Sequence, residues 1–175
     1  MTEPMLWTFD NPAHVGTILA IDPGTTQSAF VLYAPSALRV LEKGIAPNEL
    51  LLLNLRMTTY LRTSVAVIEQ VASYGMPVGA ETFETVRWSG RFEEALHPTP
   101  VVQLTRKTIV VHLCGSARAK DPNVRRVLMD RFGGDASIGL KKTPGPLYGF
   151  HADLWSALAI AVSFAEGARN PEKKL

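Results

Sequence analysis

Asp22, Glu69 and Asp153 are the residues whose types and settings suit shared chemistry. Asp22 closes the apolar run TILAI (residues 17–21) ahead of Pro23-Gly24, and Glu69 closes SVAVI (residues 64–68). Asp153 stands near the start of the last apolar segment, with His151 two residues before it and Ser156 one helical turn after. A carboxylate at the end of a buried strand keeps its charge only where a cation makes up for the lost water. If the two strands are neighbours, both acids emerge at one edge of the sheet, where open α/β sheets place their sites. Oxygen donors from three separated elements suit a hard cation of the Mg2+ or Mn2+ type. Two such ions, about 4 Å apart, would activate water and stabilise the leaving oxygen of a phosphate ester. Taken singly, each group has a plainer role: Asp22 capping a hairpin turn, Glu69 on the surface past its strand, Asp153 as a helix N-cap, His151 as a loop histidine.

The elements that must position these groups are legible in the pattern. Residues 17–21, 27–33 and 38–44 read as three short strands separated by turn residues at Pro23-Gly24 and Pro35-Ser36, an antiparallel meander. Pro47 opens a helix ending near Thr58, and residues 64–68 form a β-branched strand of the doubly buried kind. A helix over residues 80–96, a fifth strand over 101–104 and a short helix over 106–113 follow. Asp121 and Pro122 open another helix to Phe132 as N-cap and first residue. Residues 133–149, with five glycines and two prolines, predict a mobile surface loop before a final helix that starts at His151 or Asp153 and runs to about Glu166. The fold class is α/β: a mixed five-stranded sheet whose first three strands are antiparallel, with helices on both faces. The chain of 175 residues, 46% hydrophobic, divides into an N-terminal arm (residues 1–16), one domain (17–166) and a charged C-terminal tail (167–175).

The net charge of +2 conceals an asymmetry. Residues 1–100 carry six Lys/Arg against ten Asp/Glu, whereas residues 106–142 carry nine against three. A local basic block of this kind suits a polyanion, or is simply a solvated helical face. Cys114 is the single cysteine and residues 1–16 lack the pattern of an export signal, so a cytoplasmic location is expected. No apolar run approaches the roughly 20 residues that span a bilayer, and no membrane partner is expected.

Four segments, IDPGTTQSAFVLY, AVIEQVASYGMPVG, TRKTIVVHLCGSARAKDPNVRRVL and HADLWSALAIAV, together resemble the RuvC family of Holliday junction resolvases, in the family's order from about Thr17 to Ala165. The first and last segments are similar to versions from bacteriophages and prophages. The resemblance implies an RNase H-like fold and a homodimer that nicks four-way DNA junctions symmetrically by Mg2+-dependent phosphodiester hydrolysis. It implies that Asp22 is the first-strand acid, Glu69 the acid of the fourth strand and Asp153 the first acidic position of the last motif. Ser156 falls where the family usually has its final aspartate, and His151 is the candidate replacement ligand. Lys107 and Lys120 match lysines near the active site and the DNA backbone, so Lys107 is expected to act in catalysis by steadying the developing negative charge, helped by Lys120, with Arg118, Arg125, Arg126, Lys141 and Lys142 as further backbone contacts. The loop at residues 73–79 corresponds to one leading into a dimerisation helix with an aromatic wedge; Ala72 stands at the usual wedge position, and Tyr74 is near enough to stack on an exposed base. For Trp88 and Phe92, core or dimer contact is expected, and for Trp155 the core.

Three other readings stay open at this level. One is a nuclease of broader taste for forks and flaps, since branched DNA is read by shape. Another is a non-catalytic junction-binding protein, to which Ser156 lends substance. The third is a phosphate binder like the actin-like ATPases, which AIDPGTTQSA also resembles, although 175 residues hold only one of the two domains such proteins close on a nucleotide.

Overall fold

A computed structural model describes residues 16–57, 63–73, 75 and 77–170. Alternation along the first strand, β1 (Ile18–Asp22), creates its two faces: Ile18 and Ala20 enter one apolar cluster, Leu19 and Ile21 the other. β1 pairs antiparallel with β2 (Gln27–Ala34), which pairs antiparallel with β3 (Arg39–Pro47). On its other edge β1 pairs in parallel with β4 (Val65–Gln70), and β4 in parallel with β5 (Val101–Thr105). The order β3-β2-β1-β4-β5 therefore puts β1 at the centre and the ends of β1 and β4 side by side.

Helices α1 (Asn48–Met57) and α2 (Ala80–Ala95) cover one face through Leu51, Leu52, Leu55 and Phe92, packed on Leu19, Ile21, Phe30 and Ile68. Helices α3 (Arg106–Cys114), α4 (Asp121–Arg131) and α5 (Leu154–Ala165) cover the other. α5 is buried without interruption from Ala157 to Ser163 and lies over the small side chains of Ala20 and Ala29. Small residues on both sides let this helix sit close to the sheet, which carries its N-terminal end to the Asp22 edge. The five-stranded mixed sheet with helices on both faces is the expected architecture.

Several boundaries differ from the expectation for identifiable reasons. β3 continues through Ala46 and Pro47, paired with Ser28 and Gln27, because a proline is tolerated on an edge strand. β4 runs to Gln70, so Glu69 lies within the strand, opposite Leu104 of β5. α4 has Lys120 rather than Asp121 at its N-cap, and the Lys120 backbone N–H donates to Asn123 Oδ1 at 2.9 Å.

The glycine-rich stretch is organised rather than open. A short hairpin pairs Gly139–Leu140 with Thr143–Pro144, and Ser137 and Leu147 are buried beside it. A Cβ on Gly145 would lie 2.2 Å from the Ser137 carbonyl oxygen, and one on Gly139 would lie 2.3 Å from the Gly145 nitrogen. These glycines serve close backbone approach. Residues 167–170 dock as well: Ala168 is buried, and the Asn170 side chain accepts from the Thr105 N–H at 3.0 Å and donates to the Gln103 carbonyl at 2.9 Å.

Candidate active site at the ends of β1 and β4

The turn after Asp22 is built by its neighbours. The Gly24 N–H donates to Ser28 Oγ at 3.1 Å, Ser28 donates to Asn48 Oδ1 at 2.6 Å, and Asn48 Nδ2 donates back to the Gly24 carbonyl at 2.9 Å. Ser28 and Asn48 are both buried, so this closed ring fixes the turn without the Asp22 carboxyl. Asn48→Ala leaves the Gly24 carbonyl and the Ser28 hydroxyl proton without their partners, and a loss of about 2 kcal/mol is expected in urea unfolding.

Freed from turn duty, the Asp22 carboxyl stands beside Ser156 and within electrostatic range of Glu69 and Asp153. Its pKa is pushed up to about 7, first by burial, then by the like charges of Glu69 and Asp153, with Arg106 and Ser156 acting the other way. Burial also raises Glu69, which Arg106 partly offsets and Asp121 reinforces. Glu69 Oε2 is buried and has no hydrogen-bond partner. An orphaned, buried carboxylate oxygen beside a second carboxylate is a demand for positive charge.

Asp153 occupies the N-cap position of α5, yet its side chain makes no capping bond; only its carbonyl engages the helix, accepting from the Ala157 N–H at 3.0 Å. The exposed carboxylate is thus not used by the helix. Just before it, Ala152 has φ 42°, a left-handed conformation rare outside glycine, as the chain turns into α5. His151 is exposed, and its Nδ1 lies 2.9 Å from the Gly149 carbonyl. Because a carbonyl only accepts, Nδ1 carries a proton, which leaves Nε2 as the ring nitrogen not used by this bond.

Among the described residues no three or more His, Cys, Asp or Glu side chains stand close enough together to hold a metal ion, so Asp153 and His151 do not join Asp22 and Glu69 in one ligand cluster. Asp22 and Glu69 form the core of the site, with Asp153 within electrostatic range of Asp22. Oxygen donors of this kind, one of them orphaned, fit a hard divalent cation.

The sequence reading missed Arg106. Its Nη1 lies 3.9 Å from Glu69 Oε2 and donates to Ser156 Oγ at 3.3 Å, while Nη2 is hydrogen-bonded to Asp121. A signal existed: Arg106 and Lys107 begin α3, where the helix dipole disfavours cations, so at least one of them is held there by something else. Arg106 turns to the carboxylates. Lys107 is exposed and lines a separate groove with Gln70, Thr108 and Asn170.

Beside the carboxylates opens a cleft of about 370 Å3 lined by Arg106, Arg125, Asp153 and Ser156. The Arg125 guanidinium lies 4.9 Å from the centre of the Trp155 ring, which is itself buried in the core as expected. Arg118 is exposed in a concavity between α3 and α4 that Arg126 also lines, and Lys120 is exposed at the start of α4. Trp88 and Phe92 pack in the core of the opposite face. Tyr74 lies outside the described residues.

No protein-family model and no curated protein matches the chain. Solved structures do. Thermus thermophilus RuvC aligns with TM-score 0.60 and 20% identity over 85% of this chain and 93% of its own. The same protein in complex with a Holliday junction substrate gives 0.61 at 20% identity, over 85% and 92%. The yeast mitochondrial Holliday junction resolvase gives 0.52 at 10% identity, over 90% and 81%. At such identities the likeness is one of fold, and the chain has the RuvC-type RNase H-like α/β fold.

Proposed function

We propose that this chain is a structure-selective DNA endonuclease that resolves four-way junctions by metal-dependent phosphodiester hydrolysis, with paired symmetric nicks. The observation that carries the reading is the pairing of Asp22 with Glu69 at the ends of adjacent parallel strands, one oxygen of Glu69 buried without a partner. Among the described residues the two carboxylates share a single ion-paired cation, Arg106 at 3.9 Å from Glu69 Oε2, so negative charge is in excess there, and Arg106 and Arg125 line the cleft beside them. Asp22 and Glu69 would hold Mg2+ or Mn2+, with Asp153 and His151 as the nearby candidates to complete the ligand set, and such an ion would supply activation of water and stabilisation of the leaving oxygen. The protein's own part is to aim the phosphate. Arg106 and Arg125 attract and orient the scissile diester, and Lys120, Arg118 and Lys107 hold the backbone on either side. The fold likeness to a RuvC bound to a Holliday junction substrate supports branched DNA as the partner.

Symmetric nicking requires two active sites, and the reading includes a homodimer through α2, where Phe83 and Val86 are exposed three residues apart on one face. Sedimentation equilibrium should give twice the chain mass. The function is tested with labelled four-way junction, fork and linear duplex, each with and without Mg2+. Paired nicks confined to the junction and dependent on the ion support the proposal. Equal cutting of forks favours the broader nuclease, and binding without cutting favours the non-catalytic reading.

A further inference from the structure

Arg106 has a place in the site that a cation of another kind would otherwise need. Its Nη1 stands between Glu69 Oε2, at 3.9 Å, and Ser156 Oγ, at 3.3 Å. A divalent ion beside both oxygens would have to share the space in which the guanidinium stands, and the two positive charges would repel. The Ser156 hydroxyl accepts from Arg106 Nη1. Being neutral, it is a poor exchange for a carboxylate ligand. Arg106 is held in turn from outside, by Asp121 at the start of α4.

We infer that the guanidinium of Arg106 stands in for a second metal ion, so that the site takes one divalent cation per chain rather than the two expected for a phosphodiester-cleaving centre. This rests on the metal-dependent reading above. The single ion belongs to the Asp22, Glu69 and Asp153 side, and Arg106 supplies a fixed positive charge on the Glu69 and Ser156 side. A fixed guanidinium also offers paired N–H donors to a phosphate, which a hydrated ion does not.

The test is a Mn2+ titration of the DNA-free protein with free ion counted by electron paramagnetic resonance, and circular dichroism to establish that each variant is folded. The wild-type chain should bind one Mn2+. Ser156→Asp alone should stay at one, because the guanidinium remains, and the double variant Arg106→Gln with Ser156→Asp should bind two. Two ions in the wild type would overturn the inference while leaving the nuclease reading intact. One ion in the double variant would overturn the role of Arg106. No bound ion in the wild type would overturn the inference and the metal-dependent reading together.

Discussion

Asp22→Asn is expected to abolish junction cleavage while sparing junction binding. The fall in turnover should be about 10³-fold or more, equivalent to about 4 kcal/mol of lost transition-state stabilisation. Asparagine keeps the shape of the side chain and can still engage Ser156, so the fold and the cleft persist. What disappears is the negative charge that, on the proposed reading, joins Glu69 in holding a cation. Binding is expected to survive because, on the proposed reading, Arg118, Lys120 and Arg125 contact the phosphates, and such contacts dominate affinity. Gel-shift and single-turnover cleavage on the same labelled junction separate the two. Unchanged cleavage would remove Asp22 from the chemistry.

The second large effect is on stability and has a definite sign. The Asp22 carboxyl titrates near 3.8 when unfolded and at about 7 in the fold, so the folded chain binds the proton more tightly. Between those values the native state holds more protons than the unfolded one, and stability falls as pH rises. The benefit is fully present below about 4 and gone above about 7. The shift sets a ceiling of about 4 kcal/mol on the change. Glu69, raised by burial, acts in the same direction, so the transition belongs to the pair. In the presence of a chelator, urea midpoints of the wild type should drop through this range relative to those of Asp22→Asn, whose own site has no such proton to lose. Saturating Mg2+ should remove most of the difference by taking the proton's place. Parallel profiles for the two proteins would contradict the account.

The two strand-end acids were legible because burial and charge conflict there. TILAI followed by an acid and a Pro-Gly turn, and SVAVI followed by an acid, are patterns in which a strand delivers a carboxylate to the sheet edge. Asp153 was legible only through its place before the apolar helix, and its freedom from capping needed the structure. Arg106 was hidden because Arg and Lys adjoin, and one-dimensional pattern does not say which faces back across β4. A hundred-degree rotation per residue separates their directions at the head of a helix. The glycine-rich segment misled for a different reason: glycine marks both slack chain and close approach, and here Gly139 and Gly145 serve the latter.

The most direct test of the central claim, that Asp22 and Glu69 converge to hold a divalent ion, is anomalous diffraction from crystals grown with Mn2+. The account predicts a peak within about 2.5 Å of carboxylate oxygens from both residues. Carboxylates of Asp22 and Glu69 bonded only to protein groups, with manganese found elsewhere on the chain, would contradict it.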